Sequence, residues 1–109
     1  MALITPTEIL DNSYVSDLTA TTLATGDQVT YASTLHLTFL ETGGTNPVTI
    51  TINPVRKGEE GELAPIVIAV AADKYAHFVN PSENYASDGK ITFAITGTGT
   101  PACLATYTN

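Results

Sequence analysis

The chain's only histidines are His36 and His77, and its only cysteine is Cys103. A thiol and an imidazole far apart in sequence can meet as a nucleophile and its base, because the fold, not the spacing, brings such pairs together. The competing reading is that Cys103 is a small buried hydrophobe, the usual state of a free cysteine. His36 falls on the threonine-bearing parity of an alternating segment and is expected at the surface. His77 lies where neither parity is clearly apolar. The three residues show no Cys-x-x-Cys or His-x-x-x-His spacing, so the sequence predicts no zinc and no other metal site.

Two further segments invite a chemical reading. Glu59-Glu60-x-Glu62 could offer oxygens to a hard cation, but it lacks the Asp-x-Asp-x-Asp-Gly frame of a calcium loop and has Arg56 and Lys57 beside it. A solvated charged loop is the expectation. Gly97-Thr98-Gly99 sits between two strand patterns, with no helix start and no following lysine, and so makes no phosphate cradle. The eight aromatic residues include no tryptophan, although Tyr14, Tyr75 and Tyr85 could be exposed. No catalytic residue, no cofactor site and no enzyme activity are expected.

The elements that must position these residues read as strands. Thr is the commonest residue, with nineteen copies and none between Ile52 and Ile91, and β-branched residues suit a pleated surface better than a helix. Val29, Tyr31, Ser33, Leu35, Leu37 and Phe39 share one parity, which predicts a single strand with one buried face. Thr42-Gly43-Gly44-Thr45-Asn46 then predicts a tight hairpin into Val48, Ile50 and Ile52. Ile66-Val67-Ile68-Ala69-Val70 is apolar at both parities and reads as a central strand covered on both sides. Tyr75 to Val79 is a further candidate. Ser87-Asp88-Gly89 is a turn into Ile91, Phe93 and Ile95, and Ala102 to Thr108 is a last strand.

The expected fold is all-β: a small antiparallel β-sandwich, jelly-roll-like or Ig-like, over residues 27–109. Its predicted core is Val29, Tyr31, Leu35, Leu37, Phe39, Val48, Ile50, Ile52, Ile66, Ile68, Val70, Ile91, Phe93 and Ile95. Residues 1–26 lack a sustained period and read as an N-terminal arm. Thr5-Pro6-Thr7-Glu8 in that arm carries a capping-box signal for one helical turn, which Asp11-Asn12-Ser13 would end.

Composition bounds the partners. With 109 residues, 43% hydrophobic and 14% charged, the chain is one globular domain. No apolar run approaches the ~18 residues of a membrane span. Four Lys+Arg against eleven Asp+Glu give a net charge of −7, the wrong sign for nucleic acid or anionic lipid. A single cysteine allows no internal disulfide, and the start shows no basic and apolar leader, so folding in the cytoplasm is expected.

The motif order adds a resemblance. Gly26-Asp27 precedes a strand, Asn46-Pro47-Val48-Thr49-Ile50-Thr51-Ile52 follows a Gly-Gly turn, and Ile66 to Lys74 is an apolar strand ending in Asp-Lys. Phe78-Val79-Asn80-Pro81, Tyr85-Ala86-Ser87-Asp88-Gly89 and Lys90-Ile91-Thr92-Phe93-Ala94-Ile95-Thr96-Gly97 come next. Over about residues 26–108 this resembles the small β-sandwich virion proteins encoded among the head genes of tailed bacteriophages. The resemblance implies a capsid decoration or cement protein on the outer face of the shell, made in the host cytoplasm. It further implies the major capsid protein as partner, and copies of the chain itself as a homotrimer or other small oligomer. A head-to-tail or tail component is one alternative, and a carbohydrate- or receptor-binding module is another. In the arm, Leu3, Ile4, Ile9 and Leu10 are the residues expected to cover apolar surface on a neighbour.

Overall fold

Alternation of apolar and polar residues builds strands, and the computed structural model describes them over residues 2–10, 13–55 and 63–108. The described strands are β1 (Leu3–Ile4), β2 (Thr7–Ile9), β3 (Thr21–Thr22), β4 (Gln28–Thr30), β5 (Leu35–Glu41) and β6 (Val48–Ile52). They continue as β7 (Ile66–Val70), β8 (Tyr75–Val79), β9 (Ala86–Ser87), β10 (Lys90–Gly97) and β11 (Pro101–Thr108). One turn of 3₁₀ helix, Glu83–Tyr85, precedes β9, and the Ser82 side chain accepts the Asn84 N–H at its start.

The strands form two sheets that face each other as a sandwich. One has the order β1-β4-β10-β6-β7, with β9 also paired to β10; the other has the order β2-β11-β5-β8, with β3 also paired to β11. Both sheets are mixed, not purely antiparallel, because β1 joins β4 and β2 joins β11 in parallel. The Asp88-Gly89 turn is the expected tight one: both residues have positive φ, as a two-residue hairpin loop of the primed type requires, and β9 and β10 pair across it.

Three expectations are corrected. Residues 29–39 form two strands, since β4 and β5 belong to different sheets and the chain crosses between them at residues 31–34. Both sheets face one core, so the inward parity carries straight through the crossing and the pattern looks continuous. The Gly-Gly segment is likewise no hairpin, because β5 and β6 lie in opposite sheets and residues 42–47 arch between them. Finally, among the described residues β7 is an edge strand paired only to β6, with Val67 64% exposed. Its outward Val67 and Ala69 face Thr51 and Thr49 across the ladder, where β-branched residues suit a pleated outer surface without burial.

The N-terminal region is also corrected. No helical turn follows Thr5: Thr7–Ile9 is extended in register with Thr106–Thr108, and Leu3–Ile4 pairs with Gln28–Val29. A lone turn without an amphipathic run behind it must meet the full nucleation cost for few bonds, whereas β4 and β11 each offer an open edge of unpaired backbone groups. Pro6, buried, stands between the two strands and donates to neither ladder. Asp11 and Asn12, the expected end of the turn, and the charged segment 56–62 lie outside the described residues.

The core contains Val29, Leu35, Leu37, Phe39, Val48, Ile50, Ile52, Val70, Ile91 and Phe93 as expected, while Tyr31, Ile66, Ile68 and Ile95 are only partly buried against it. It also contains Ile4, Leu23, Ala86, Cys103 and Ala105. Phe39 of one sheet meets Phe93 of the other edge to face, with ring centroids 5.4 Å apart, a favoured aromatic geometry. Urea denaturation should therefore show Phe93→Ala destabilised by about 3–5 kcal/mol and Ile4→Ala by about 2–5 kcal/mol. Val67→Ala should stay within about 0.5 kcal/mol of the parent. An Ile4→Ala variant as stable as the parent would return the N-terminus to the status of a detached arm.

Candidate functional site

The least expected polar group is Glu41, the last residue of β5, which continues the inward series Leu35, Leu37, Phe39 and is only 2% exposed. One carboxylate oxygen accepts the N–H groups of Gly44 and Asp73, both at 2.8–2.9 Å. The other accepts those of Gly43 and Thr100, each at 2.8 Å. Two oxygens have about four acceptor positions, so the side chain has none left for a substrate or metal. The bonds from Thr100 and Asp73, followed by those from Gly44 and Gly43, outweigh desolvation and hold its pKa down to about 2. Glu41 is thus a fastening carboxylate, not an acid or base for catalysis.

Its donors come from three loops: residues 42–47, 71–74 and 98–100. Each connects one sheet to the other, and they meet at one end of the sandwich. The glycine at 99 is needed there, since a Cβ would stand 2.5 Å from the Asn46 carbonyl oxygen and 3.0 Å from the Glu41 side chain. Asp27 plays a smaller version of the same part. It is 5% exposed, and its carboxylate accepts the N–H groups of Ala2 and Ala24. Those bonds, Ala2 first, lower its pKa.

Cys103 lies on the inward face of β11, opposite Phe39, and is 1% exposed. Burial pushes its thiol up to about 12, far from the thiolate a nucleophile needs. The two histidines sit on the outer face of the same sheet, so the sheet itself separates them from Cys103 and no thiol–imidazole pair forms. They do meet each other. His77 of β8 lies opposite Thr38 of β5 and diagonal to His36, with ring centroids 5.8 Å apart, and Thr38 Oγ1 is 2.8 Å from His77 Nδ1. The residues are 41 positions apart, so only the strand register, not their spacing, could reveal this contact.

Of the expected partner-contact residues, Leu3 and Leu10 are 50% and 60% exposed, Ile9 is partly buried, and Ile4 is spent in the chain's own core. Tyr14 and Tyr75 are exposed, while Tyr85 is partly buried and donates its hydroxyl to the Ala64 carbonyl at 2.8 Å. One open cleft of about 220 Å³ is bounded by Asn53, Tyr85 and Lys90. Another, of about 300 Å³, is bounded by Pro6, Tyr31 and Tyr107. Neither cleft is lined by a histidine, cysteine or carboxylate. The Glu59, Glu60 and Glu62 cluster lies outside the described residues.

A pH dependence follows from Glu41. Its folded pKa lies below the ordinary 4.5, so its contribution to stability is complete above the unfolded pKa and is lost as pH falls toward about 2. Glu41→Gln keeps the shape but loses the charge and replaces an acceptor oxygen with an amide donor. It should melt well below the parent at neutral pH, and the gap should narrow steadily in thermal melts between pH 4.5 and 2. A gap that stays constant with pH would show that the charge is not what holds the loops.

No protein-family model, curated protein or solved structure matches this chain.

Proposed function

We propose that this protein is a structural component of a tailed-bacteriophage virion, a decoration or cement subunit that binds the major capsid protein and neighbouring copies of itself on the outer face of the head. The carrying observation is the N-terminal segment, which is pinned to both sheets through β1 and β2 yet turns Leu3, Leu10 and Tyr14 outward. Tyr14 is 83% exposed. Leu3 in β1 and Leu10 beside β2 stand on paired backbone, and apolar side chains so held bind with little ordering entropy left to lose.

The motif resemblance in the sequence supports the same reading. Among the described residues there is no group of three or more metal-ligating side chains, and the buried carboxylates are consumed by backbone N–H groups. What remains for function is surface. A net charge of −7 suits a protein assembled around packed DNA without adhering to it.

The N-terminal strands belong to the fold, so removing residues 1–12 would damage the domain as well as any contact it makes. Point substitutions separate the two effects. Each buried apolar side chain could contribute about 1.5–3 kcal/mol to binding. Leu10→Ser with Tyr14→Ser should therefore reduce co-sedimentation with undecorated heads by more than tenfold while leaving the melting temperature unchanged. Full binding by that variant would move the contact elsewhere on the sandwich. Absence of binding by the parent protein would favour a tail component or a sugar-binding module instead.

A further inference from the structure

We propose that His36 and His77 form a two-imidazole chelate for a borderline divalent transition ion, of the Zn²⁺ or Cu²⁺ kind, on the outer face of the β5–β8 strand pair. This inference does not rest on a virion role. It stands on the strand register, which places the two rings diagonally across adjacent strands, a separation long side chains can bridge.

The ring separation leaves room for one shared ion. With metal–nitrogen bonds of about 2.0–2.1 Å, an ion stands about 3.2 Å from the centroid of each ring it binds, so two ligating rings can lie up to about 6.4 Å apart. The observed centroid separation is 5.8 Å with the rings tilted by 40°, within that span and bent away from a linear arrangement.

Thr38 supplies the supporting contact. It stands directly opposite His77 and two residues from His36, with its Oγ1 at 2.8 Å from His77 Nδ1. When Nδ1–H donates to that oxygen, Nε2 keeps its lone pair and is the nitrogen left to bind metal. Fixing one ring nitrogen through an oxygen so that the other can bind metal is the usual second contact of a ligating histidine.

The surroundings favour an ion that imidazole can hold and disfavour a hard one. By register, the neighbours on this face are Leu40, Tyr75, Val79, Leu104 and Thr106, none of them a carboxylate. Ca²⁺ and Mg²⁺ need oxygen ligands, whereas imidazole suits Zn²⁺, Ni²⁺ and Cu²⁺. Two protein ligands leave the remaining coordination positions of the ion open.

The experiment is calorimetric titration of the full chain with ZnCl₂ and with CuCl₂ at mildly alkaline pH. It is run on the parent, His36→Ala, His77→Ala, the double variant and Thr38→Val. The parent should bind one ion per chain, Cu²⁺ more tightly than Zn²⁺, and MgCl₂ should give no heat. Each single histidine variant should lose at least tenfold in affinity, because a chelate is lost with either arm, and the double variant should lose the site altogether. Thr38→Val should weaken binding by about tenfold with both rings present, the size expected for an outer contact to a ligand. In the Cu²⁺ complex, electron paramagnetic resonance should show coupling to two imidazole nitrogens in the parent and to fewer in either single variant. His36 is partly buried and His77 exposed, both outside the core, and unchanged melting temperatures would confirm that the variants fold. Failure of the parent to bind, or parent-like affinity in the double variant, would overturn the proposal.

Discussion

One carboxylate sets the conditions for one end of the sandwich. In this fold the chain passes repeatedly from one sheet to the other, and such crossings have no ladder of their own to satisfy their backbone groups. Glu41 takes one N–H from Asp73, one from Thr100 and two from the Gly43-Gly44 pair. Three separate crossings therefore share a single anchor. A buried charge is costly unless its acceptor positions are filled, and here they are filled by groups that would otherwise be orphaned. The carboxylate and the loops solve each other's problem. The close approach at Gly99 follows from the same arrangement, since the chain must run near both Asn46 and the Glu41 side chain.

A second constraint is edge closure. β4 and β11 would each present unpaired backbone groups along one side; residues 3–9 cover them by splitting into β1 and β2 around Pro6, and β3 covers the rest of the β11 edge. Asp27 secures the entry by accepting the Ala2 N–H, and Ile4 adds its side chain to the core. The Thr34 hydroxyl exchanges hydrogen bonds with the backbone of Thr108, tying the far end of β11 to the crossing that precedes β5. Polar contacts with the backbone thus hold the crossings and ends, while Phe39 against Phe93 and the surrounding aliphatics hold the sheets together.

Much of this was legible in the sequence and some was not, for identifiable reasons. The β class and most of the core followed from period two, because a side chain's face depends only on parity. Sheet membership did not, because parity is blind to which sheet a strand joins: Val29 and Leu35 point into the same core from opposite sides. The helical signal at Thr5 was real but local, and open strand edges elsewhere in the chain outweighed it. Glu41 was readable and was missed. An acidic residue at the inward position of a strictly alternating strand, with two glycines just beyond the next residue, announces a buried carboxylate capped by backbone N–H groups. The meeting of His36 with His77 could not be read at all without the pairing of β5 with β8.

The parallel pairing of β2 with β11 gives the molecule a mechanical character. Residues 7–9 and 106–108 lie side by side and run in the same direction, one near each end of the chain. Tension applied between residue 7 and residue 108 pulls these strands in opposite senses along their common axis. The hydrogen bonds between them are then sheared together instead of being peeled apart one after another, as they would be in an antiparallel terminal pair. Under that load the whole patch must break in one event. Loaded at those two points, the ladder resists abruptly and yields all at once.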